Sequence, residues 1–582
     1  MVRVAPLTLL LVTLLASCAD ERNHVTSSNE SYGDEEWFVD QAIEAGLDFV
    51  HFNGMSGEFY FPEHIGPGVG LLDYDNDGDL DVLFLQGQML GVGKTIEDAL
   101  VPPEARQLPL RARLYRNDLE VSPPETHSLR FTDVTDESGI DARGYGMGVA
   151  TGDLTNDGCV DIYLTNVGPN QLFRNNCDGT FTDVSRETGV NDSGWSVSAA
   201  FLDYDRDGWL DLYVGNYVYH SIETHVTCRG LIGGRDYCSP SVYRAQPDRL
   251  YRNQGDGTFV DVTAQALLGA DFGPALGVVS ADFNSDGWSD IFVANDGEEN
   301  QLWVNQGDGA FQNQAPLAGV SFNADGRAEA GMGVDAGDFD NDGDEDLFLT
   351  HLRTETTTLY VNNGRGLFED ETARSGLGAP SLAYTGWGTA WIDFDNNGWL
   401  DLLTVNGTIQ AVEGRGDDPF PYDQRKQLFR QLGDGRFADV TDQAGAVFQL
   451  SDVGRGAAFG DINNDGTMDV LVANANGPVR LLINQVGRRN HWVGIRLVGG
   501  LDMPRDMLGA RVTIIRSDGP ALWRRAHTDG SFASANDPRV LIGLGASVET
   551  PLVRVSWPSG HVEEWPEVPI DRWTTLQEGS GQ

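Results

Sequence analysis

The sequence predicts an all-β protein, a seven-bladed β-propeller followed by a small β-sandwich. Three observations support this prediction. A nine-residue acidic loop recurs seven times, a short phrase typical of paired strands recurs between the loops, and the residues after 487 contain neither. Repeated short units of this kind indicate an architecture in which each unit buries its apolar surface against its neighbours.

The acidic loop reads D-x-[DNT]-x-[DN]-G-x-x-D. Side chains at positions 1, 3 and 5 can converge when the glycine at position 6 reverses the chain, position 7 offers its main-chain carbonyl, and position 9 adds a carboxylate. Such an all-oxygen set suits Ca²⁺, whereas Zn²⁺ and Cu²⁺ favour His and Cys ligands. The sequence therefore predicts up to seven calcium sites.

The predicted ligands occupy positions 1, 3, 5, 7 and 9 of the seven loops. In chain order they are Asp73, Asp75, Asp77, Asp79, Asp81; Asp153, Thr155, Asp157, Cys159, Asp161; Asp203, Asp205, Asp207, Trp209, Asp211; Asp282, Asn284, Asp286, Trp288, Asp290; Asp338, Asp340, Asp342, Asp344, Asp346; Asp393, Asp395, Asn397, Trp399, Asp401; Asp461, Asn463, Asp465, Thr467 and Asp469. The alternative, polar turns without metal, would leave three or four carboxylates in most loops repelling one another.

Each acidic loop is flanked by residues that favour strands, because β-branched and aromatic side chains predominate there. A phrase L-[YF]-x-N, a glycine turn and a phrase ending in F-x-D follow along the chain. One unit is thus strand A, the acidic loop, strand B, strand C, a turn and strand D, which repeated radially makes a propeller. The first strand D, residues 37–40, precedes the first loop and is predicted to complete the last blade.

Three long insertions, residues 86–113, 217–248 and 407–427, connect strand B to strand C. Strand alternation places them opposite the acidic loops, on what we call the insertion-rich face. This face carries the candidate acid–base residues, each of which is also compatible with a packing role. They are His51, Glu63, His64, His220, His225, His351 and Arg353.

The N-terminal residues 1–17 combine a basic start with an apolar run too short to span a bilayer, which indicates an export signal. The run ends in Leu-Ala-Ser-Cys18, which resembles the bacterial lipobox. That resemblance implies lipidation of Cys18, a tether over residues 18–36, and a place in the cell envelope, at the outer membrane.

The other four cysteines form an even set, as expected of disulfides in an oxidising compartment. Cys228 and Cys238 lie in one insertion. Cys159, at position 7 of its loop, lies beside Cys177 in the C–D turn of the same predicted blade. Two disulfides, Cys159–Cys177 and Cys228–Cys238, are therefore predicted.

The charge balance excludes two classes of partner. The chain has 39 basic and 88 acidic residues, a formal net charge of −49, which opposes binding to nucleic acid and to anionic lipid surfaces. Positions 1, 3, 5 and 9 of the loops hold 24 aspartates. About half of the excess charge therefore belongs to the predicted calcium sites, and the only predicted membrane contact is the lipid anchor.

The loops and strand phrases resemble FG-GAP/VCBS repeats, the units of integrin α-subunit propellers. After residue 487, the phrases NHWV at 490–493, GLG at 543–545 and VSWPSG at 555–560 resemble the ASPIC/UnbV domain. Together they resemble the cartilage acidic protein family and its bacterial homologues. The resemblance divides the chain into a propeller over 37–487 and an ASPIC/UnbV domain over 488–582, whose alternating strands favour a β-sandwich.

Two functions are compatible with these features. The first is a calcium-binding, lipid-anchored envelope protein that binds a glycan or protein ligand on its insertion-rich face. The alternative is an enzyme acting on extracellular polysaccharide or in secondary-metabolite biosynthesis, which the UnbV resemblance suggests. No G-x-S-x-G, H-E-x-x-H or P-loop motif is present, so the sequence leaves catalysis open.

Overall fold

The computed structural model describes residues 36–122, 126–230, 234–267, 271–411, 418–501 and 503–582. The predicted export signal, the lipidation site Cys18 and nearly all of the tether lie outside these residues. Within the described ranges, no helix is both long enough and apolar enough to cross a membrane.

Seven four-stranded antiparallel sheets form the larger part of the described chain. Each sheet is one blade, numbered by the acidic loop between its strands A and B. From strand A to strand D the blades comprise Val69–Leu72, Asp81–Phe84, Arg113–Asn117 and Phe131–Asp133; Tyr145–Gly152, Asp161–Val167, Gln171–Asn175 and Phe181–Asp183; Ser196–Leu202, Asp211–Asn216, Arg249–Asn253 and Phe259–Asp261; Ala275–Ala281, Asp290–Asn295, Gln301–Asn305 and Phe311–Asn313; Val334–Gly337, Asp346–Leu349, Thr358–Asn362 and Phe368–Asp370; Gly386–Ile392, Asp401–Asn406, Gln427–Gln431 and Phe437–Asp439; Gly454–Gly460, Asp469–Asn474, Arg480–Asn484 and Phe38–Asp40.

The blades form a closed ring. Strand A of each blade contacts strand A of the next, and strand A of blade 7 contacts that of blade 1. As the sequence predicts, the N-terminal strand completes blade 7, with Phe38 paired to Asn484 and Asp40 to Leu482. Closure removes the sheet edge that an incomplete last blade would expose.

The propeller core lies between neighbouring blades. One apolar cluster, for example, joins Val279 and Phe292 of blade 4 to Val334 and Leu347 of blade 5. Because every blade buries both of its faces in this way, inner strands such as Asp211–Asn216 are buried on both sides, and none of the blades has a core of its own.

Helices are short and lie in connections. The α-helices are Thr135–Ser138, Ser185–Thr188, Ala315–Ala318, Thr372–Ser375 and Gly378–Ser381, and the 3₁₀ turns are Phe61–His64, Ile96–Asp98, Ala105–Gln107, Pro240–Val242, Thr441–Gln443, Ala446–Gln449 and Gly487–Arg489. Paired two-stranded elements outside the blades are Glu120–Ser122 with Thr126–Ser128, Cys228–Arg229 with Arg235–Asp236, and Gln424–Arg425 with Ser451–Asp452.

The C-terminal residues form two further sheets. One has the strand order Val540–Gly545, His491–Val498, Trp573–Gln577, and the other Leu522–Arg525, Arg511–Ile515, Leu552–Ser556, Val562–Trp565. Val493 and Ile495 of the first sheet share one core with Val512 and Val555 of the second. The prediction of an all-β propeller followed by a smaller β domain is confirmed.

Residues 528–537 of the C-terminal domain, which we call the plug segment, insert among the strands A of the propeller. The plug segment makes at least one hydrogen bond to strand A of every blade. In blade order the partners are Leu71 N, Thr151 O, Ser198 Oγ, Ser280 N, Val334 N, Thr389 N and Ala457 O. The sequence did not predict this insertion, because the segment has no apolar pattern that distinguishes it from a surface loop.

Candidate metal sites and the insertion-rich face

All seven acidic loops have the same backbone conformation. Position 4 is left-handed in every loop, with φ between 53° and 60°, and the glycine at position 6 has φ between 82° and 107°. The second value is strained for any residue with a side chain, which explains why position 6 is always glycine. In each loop the position 1 carboxylate accepts a hydrogen bond from the amide of that glycine.

Position 9 has a structural role that sequence reasoning missed. The buried carboxylate of Asp81 accepts the Tyr74 amide on one oxygen, at 3.0 Å, and the Asn117 amide of strand C on the other, at 2.8 Å. Every position 9 aspartate accepts the strand C amide in this way. Position 9 thus joins each acidic loop to strand C of its blade. Burial raises the pKa of Asp211 to about 9, so keeping this carboxylate ionised in the folded protein costs free energy.

The carboxylates converge as the spacing predicts. In loops 1, 3, 5 and 6, one oxygen from each of positions 1, 3 and 9 lies within 4.8 Å of the others. Loops 2, 4 and 7 carry Thr155, Asn284 and Asn463 at position 3, and so offer a neutral oxygen there. All seven donor sets consist of oxygen atoms, which is the composition that Ca²⁺ prefers.

Two observations show that the loops fit a cation. Burial, together with the carboxylates of Asp340 and Asp342 and against the charge of Arg524, raises the pKa of Asp338 to about 7. Asp203 Oδ1 and Asp401 Oδ2 are buried and have no hydrogen-bond partner among the described residues. Buried carboxylate oxygens without a donor are costly, and a bound cation would satisfy them.

The loops are joined to one another by asparagines at position 4. Asn76 donates its side-chain amide to the Gly158 carbonyl of the next loop at 3.0 Å, and Asn464 of loop 7 donates to Gly78 of loop 1 at 3.3 Å. Five loops make this link. In the other two, position 4 is Arg206 or Ser285; the guanidinium of Arg206 instead lies over the Trp288 ring of loop 4 at 4.2 Å.

The C-terminal domain packs on the acidic-loop face through arginines. Arg496 approaches Asp73 of loop 1 at 3.3 Å, Arg525 pairs with Glu345 of loop 5 at 2.8 Å, and Arg539 bonds to the Asp461 carbonyl of loop 7 at 2.8 Å. Trp573 donates its indole N–H to Asp461 at 2.9 Å. Sequence reasoning missed this contact, although the basic residues of the C-terminal domain other than histidine are all arginine, which could have indicated it.

Both predicted disulfides are present. The Cα atoms are 5.7 Å apart in Cys159–Cys177 and 5.2 Å apart in Cys228–Cys238. The sulfur of Cys159 is therefore not a metal ligand, and only its main-chain carbonyl remains available to loop 2. The second disulfide closes the hairpin of the second insertion, which carries Tyr237.

On the insertion-rich face, Glu63 and His64 lie together under that hairpin. The Tyr237 hydroxyl donates to Glu63 Oε2 at 3.0 Å, and the Tyr237 ring stacks on His64 with centroids 4.2 Å apart. Burial is the main cause that raises the pKa of Glu63 to about 8, against its hydrogen bond to Tyr237. Burial, aided by the charge of Arg455, holds the pKa of His64 well below its usual value.

The other five candidates have separate contacts. His220 packs edge-on against Trp195, and the Arg353 amide donates to Thr385 Oγ1 at 3.1 Å. His225 packs edge-on against Tyr60, with its Nε2 3.1 Å from the Glu58 carbonyl. His351 is buried beside Glu329, and burial lowers its pKa to about 4. His51 is buried and accepts the Asn476 amide on Nδ1. The predicted residues therefore do not form one catalytic cluster.

A cavity of about 460 Å³ lies on the insertion-rich face. Tyr237 and Tyr243 of the second insertion line it, with apolar Ile409 of the third insertion on another side. Several carboxylates complete the lining, and they are Asp236, Asp296, Glu298 and Glu355. Its size is within the range of sites that take small ligands, and its lining combines apolar, aromatic and charged groups.

Two family models match the chain. The FG-GAP-like repeat matches residues 153–214, 236–293, 282–349, 338–404 and 420–472, and the model named ASPIC and UnbV matches residues 500–582. The chain belongs to the family of FG-GAP-like repeat proteins with an ASPIC/UnbV domain. The resemblance seen in the sequence is thereby confirmed.

Curated members of this family include cartilage acidic protein 1. The human protein is 26% identical over 312 residues, which cover 52% of this chain and 43% of the human one. The Xenopus tropicalis protein is 25% identical over 324 residues, which cover 54% of this chain and 46% of the frog one. The chain thus matches less than half the length of these relatives.

Among solved structures, an Agrocybe aegerita lectin that recognises non-reducing terminal N-acetylglucosamine aligns with a TM-score of 0.36 and 19% identity. The alignment covers 60% of this chain and 84% of the lectin.

Proposed function

We propose that this family member is a lipid-anchored envelope protein whose acidic loops bind Ca²⁺ and whose insertion-rich face binds a glycan or protein ligand. The observation that carries the proposal is the contrast between the two faces. The C-terminal domain packs on the acidic-loop face, whereas the insertion-rich face presents a cavity of about 460 Å³.

The calcium part of the proposal is supported by the identical loops. Positions 1, 3, 5 and 9 and the carbonyl of position 7 would hold the ion in each of up to seven sites. The ion would supply positive charge to carboxylates that are buried and mutually repulsive. Calcium is therefore structural in this proposal, since it would bind the folded loops and not the unfolded chain.

Thermal unfolding with Ca²⁺ and with excess EDTA tests this part. The midpoint should rise with Ca²⁺ concentration and fall steeply in EDTA, and Mg²⁺ should replace Ca²⁺ poorly because it demands a tighter octahedral geometry. An identical melt in Ca²⁺ and EDTA would remove calcium from the proposal without affecting the ligand-binding part.

The ligand part is supported by the lining of the cavity. Hydroxyl-rich or peptide ligands need donors and acceptors beside an apolar surface, and the cavity presents tyrosines, carboxylates and the side chains of Leu352 and Ile409. The disulfide-closed hairpin and the third insertion hold these groups in place, so little ordering is needed on binding.

A soluble Cys18→Ala protein should be screened against glycan arrays and against envelope proteins. Ile409→Trp, which fills the cavity, should abolish any binding found. Leu317→Trp is the matched control, because Leu317 is 79% exposed on blade 4, away from the cavity. Binding that survives Ile409→Trp would place the ligand elsewhere.

The enzyme alternative rests on one observation, the Glu63–Tyr237 pair next to the cavity. A carboxyl group whose pKa is raised to about 8 remains protonated at neutral pH and can donate a proton. If a polysaccharide is turned over, Glu63→Gln should remove turnover while ligand binding persists. Binding without turnover in the wild-type protein would favour the binding function alone.

A further inference from the structure

Arg455 is a fully buried guanidinium on strand A of blade 7, beneath the insertion-rich face. Its Nε donates to the His64 carbonyl at 2.7 Å, and Nη1 donates to the carbonyls of Gly407 and Gly454 at 3.0 and 2.7 Å. The group lies over the Trp387 ring at 4.1 Å. The partners of Arg455 are thus neutral.

No carboxylate of the described residues pairs with Arg455, and its Nη2 is buried with no hydrogen-bond partner among them. Burial lowers the pKa of Arg455 to about 9, which still leaves the group charged at neutral pH. Carbonyl groups and an aromatic face offset only part of the cost of burying a cation. The chain has 88 acidic residues against 39 basic ones, so the lack of an acidic partner for Arg455 does not follow from a shortage of carboxylates.

Two histidines beside Arg455 add further donors. His51 accepts the Asn476 amide on Nδ1, so its neutral ring carries the proton on Nε2, and this N–H is buried without a partner. Both ring nitrogens of His64 are likewise buried and, apart from an approach to the Phe61 main chain, have no partner among the described residues. Burial, aided by the charge of Arg455, lowers the pKa of both histidines and keeps them neutral.

Two tyrosine rings, Tyr237 and Tyr422, cover this cluster. Tyr237 covers His64, and Tyr422 of the third insertion lies 5.6 Å from Tyr237 between ring centroids. The two carboxyl groups paired with these tyrosines are Glu63, on the Tyr237 hydroxyl, and Asp236, on the Tyr422 hydroxyl, and neither pairs with Arg455. A charged N–H donor, a neutral histidine N–H donor and a second histidine thus lie together, and among the described residues no carboxylate pairs with any of them.

We propose that Arg455, His51 and His64 form a binding site for a small anion or for the carboxylate group of a larger ligand. The three side chains supply N–H donors and one full positive charge, and an anion would supply the acceptors and the countercharge that the protein lacks there. Charge-assisted hydrogen bonds of this kind are the strongest available to such a ligand. The site does not depend on calcium or on the ligand proposed for the cavity.

Formate is the probe for the test, because it is the smallest carboxylate. Thermal unfolding of the wild-type protein is followed while sodium formate replaces the sodium salt of HEPES, a larger anion, at constant ionic strength. We expect a saturable rise in the midpoint, and an Arg455→Met protein should bind formate at least about tenfold more weakly. Arg425→Met is the matched control, because Arg425 already pairs with Asp442, and its formate response should match the wild type.

Three further measurements keep the test decisive. If Arg455→Met does not fold, His51→Phe removes one donor and should weaken formate binding while Arg455 remains. Chloride and acetate test whether the site selects by size. Glucuronate, with glucose as its neutral control, shows whether the anion is the carboxylate of a saccharide or a free ion. A response to any of these anions, lost in the variants, supports the site.

The proposal is overturned if the wild-type midpoint shows no saturable dependence on formate, acetate, chloride or glucuronate. It is also overturned if Arg455→Met keeps the wild-type formate response. Because the readout is anion-dependent stability of the calcium-loaded protein, failure here is distinguishable from failure of calcium binding or of binding in the cavity.

Discussion

Asp529 Oδ2 accepts hydrogen bonds from both the amide and the hydroxyl of Ser280, at 2.8 and 2.5 Å, although 249 residues separate them. Asp529 belongs to the plug segment and Ser280 to strand A of blade 4. The same carboxylate is also bonded through Oδ1 to His527, at 3.2 Å. The C-terminal domain is therefore joined to the propeller through buried, charge-assisted hydrogen bonds and not only by surface contact.

Asp529→Ala should lower the free energy of unfolding by about 3 kcal/mol, because it leaves the Ser280 amide and hydroxyl without an acceptor in a buried site. Asp518→Ala, at a half-exposed site on the same domain, should cost less than about 1 kcal/mol. Urea denaturation measures both. Equal effects would show that the plug contributes no more than a surface ion pair.

Alanine substitutions at positions 9 and 3 of loop 5 should change the free energy of unfolding differently when calcium is removed. Asp346→Ala should cost about 2 kcal/mol or more with and without Ca²⁺, since its carboxylate accepts the Phe339 and Asn362 amides. Asp340→Ala should be destabilising only with Ca²⁺. In EDTA it should be neutral or slightly stabilising, because burial and the nearby Asp342 raise the pKa of Asp340 to about 6.

Chemical denaturation of both variants in Ca²⁺ and in EDTA checks this prediction. A calcium-dependent penalty for Asp346→Ala alone would assign the ion-binding role to position 9 and contradict the structural role described above.

The raised pKa of Glu63 should lower the free energy of unfolding as the pH rises. Its folded-state pKa is about 8 against an ordinary value of 4.5, so the folded protein retains a proton that the unfolded chain releases. The stabilisation is complete below about pH 4.5 and is lost as the pH approaches 8. Glu63→Gln should therefore gain stability relative to the wild type with increasing pH, at up to about 1.4 kcal/mol per pH unit.

Urea denaturation at intervals between pH 5 and pH 8 measures that difference. Glu58→Gln, on the same segment at the surface, should change the free energy of unfolding by less than about 0.5 kcal/mol throughout. A constant difference between Glu63→Gln and the wild type would mean that Glu63 is ionised in the folded state at neutral pH.

Ser285→Asn should stabilise the propeller by about 0.5–1 kcal/mol. Ser285 has φ of 60°, a conformation that asparagine tolerates well, and the new amide would reach toward the Gly343 carbonyl of loop 5. The Gly343 carbonyl already accepts a hydrogen bond from Arg511. It can accept a second donor, because the equivalent Gly398 carbonyl of loop 6 accepts hydrogen bonds from both Asn341 and Arg524. Ser285→Ala is the control and should not stabilise, which differential scanning calorimetry can resolve.

The sequence predicted the elements that follow from local repetition. Asp73 to Asp81 and the six similar loops specify a turn, a glycine conformation and two flanking strands within a few residues of one another. The closure of blade 7 by Phe38 also followed, because a strand D was present at one end and missing at the other. The two disulfides followed from the placement of their cysteines on one predicted blade and in one insertion.

Contacts between distant segments could not be predicted in this way. Asp529 has no local pattern that indicates Ser280 as its partner, and the two meet only because the plug segment enters the ring. Arg455 lies in a strand that resembles strand A of any other blade. Its lack of an acidic partner depends on the segment before blade 1 that contains His64 and on the second and third insertions. The arginines of the C-terminal domain were visible in the sequence, but no local pattern indicated that they would contact the acidic loops.

The pairing of Phe38 with Asn484 also affects the order in which the protein can be completed. Arg480 is bonded to Asp40, 440 residues earlier in the chain, so the first strand of the propeller cannot pair until its last strand has been synthesised. Until then an unpaired strand edge persists at each end of the nascent propeller, a state prone to aggregation. Folding of such a non-local topology is slow, so the emerging chain must be protected until its two ends meet.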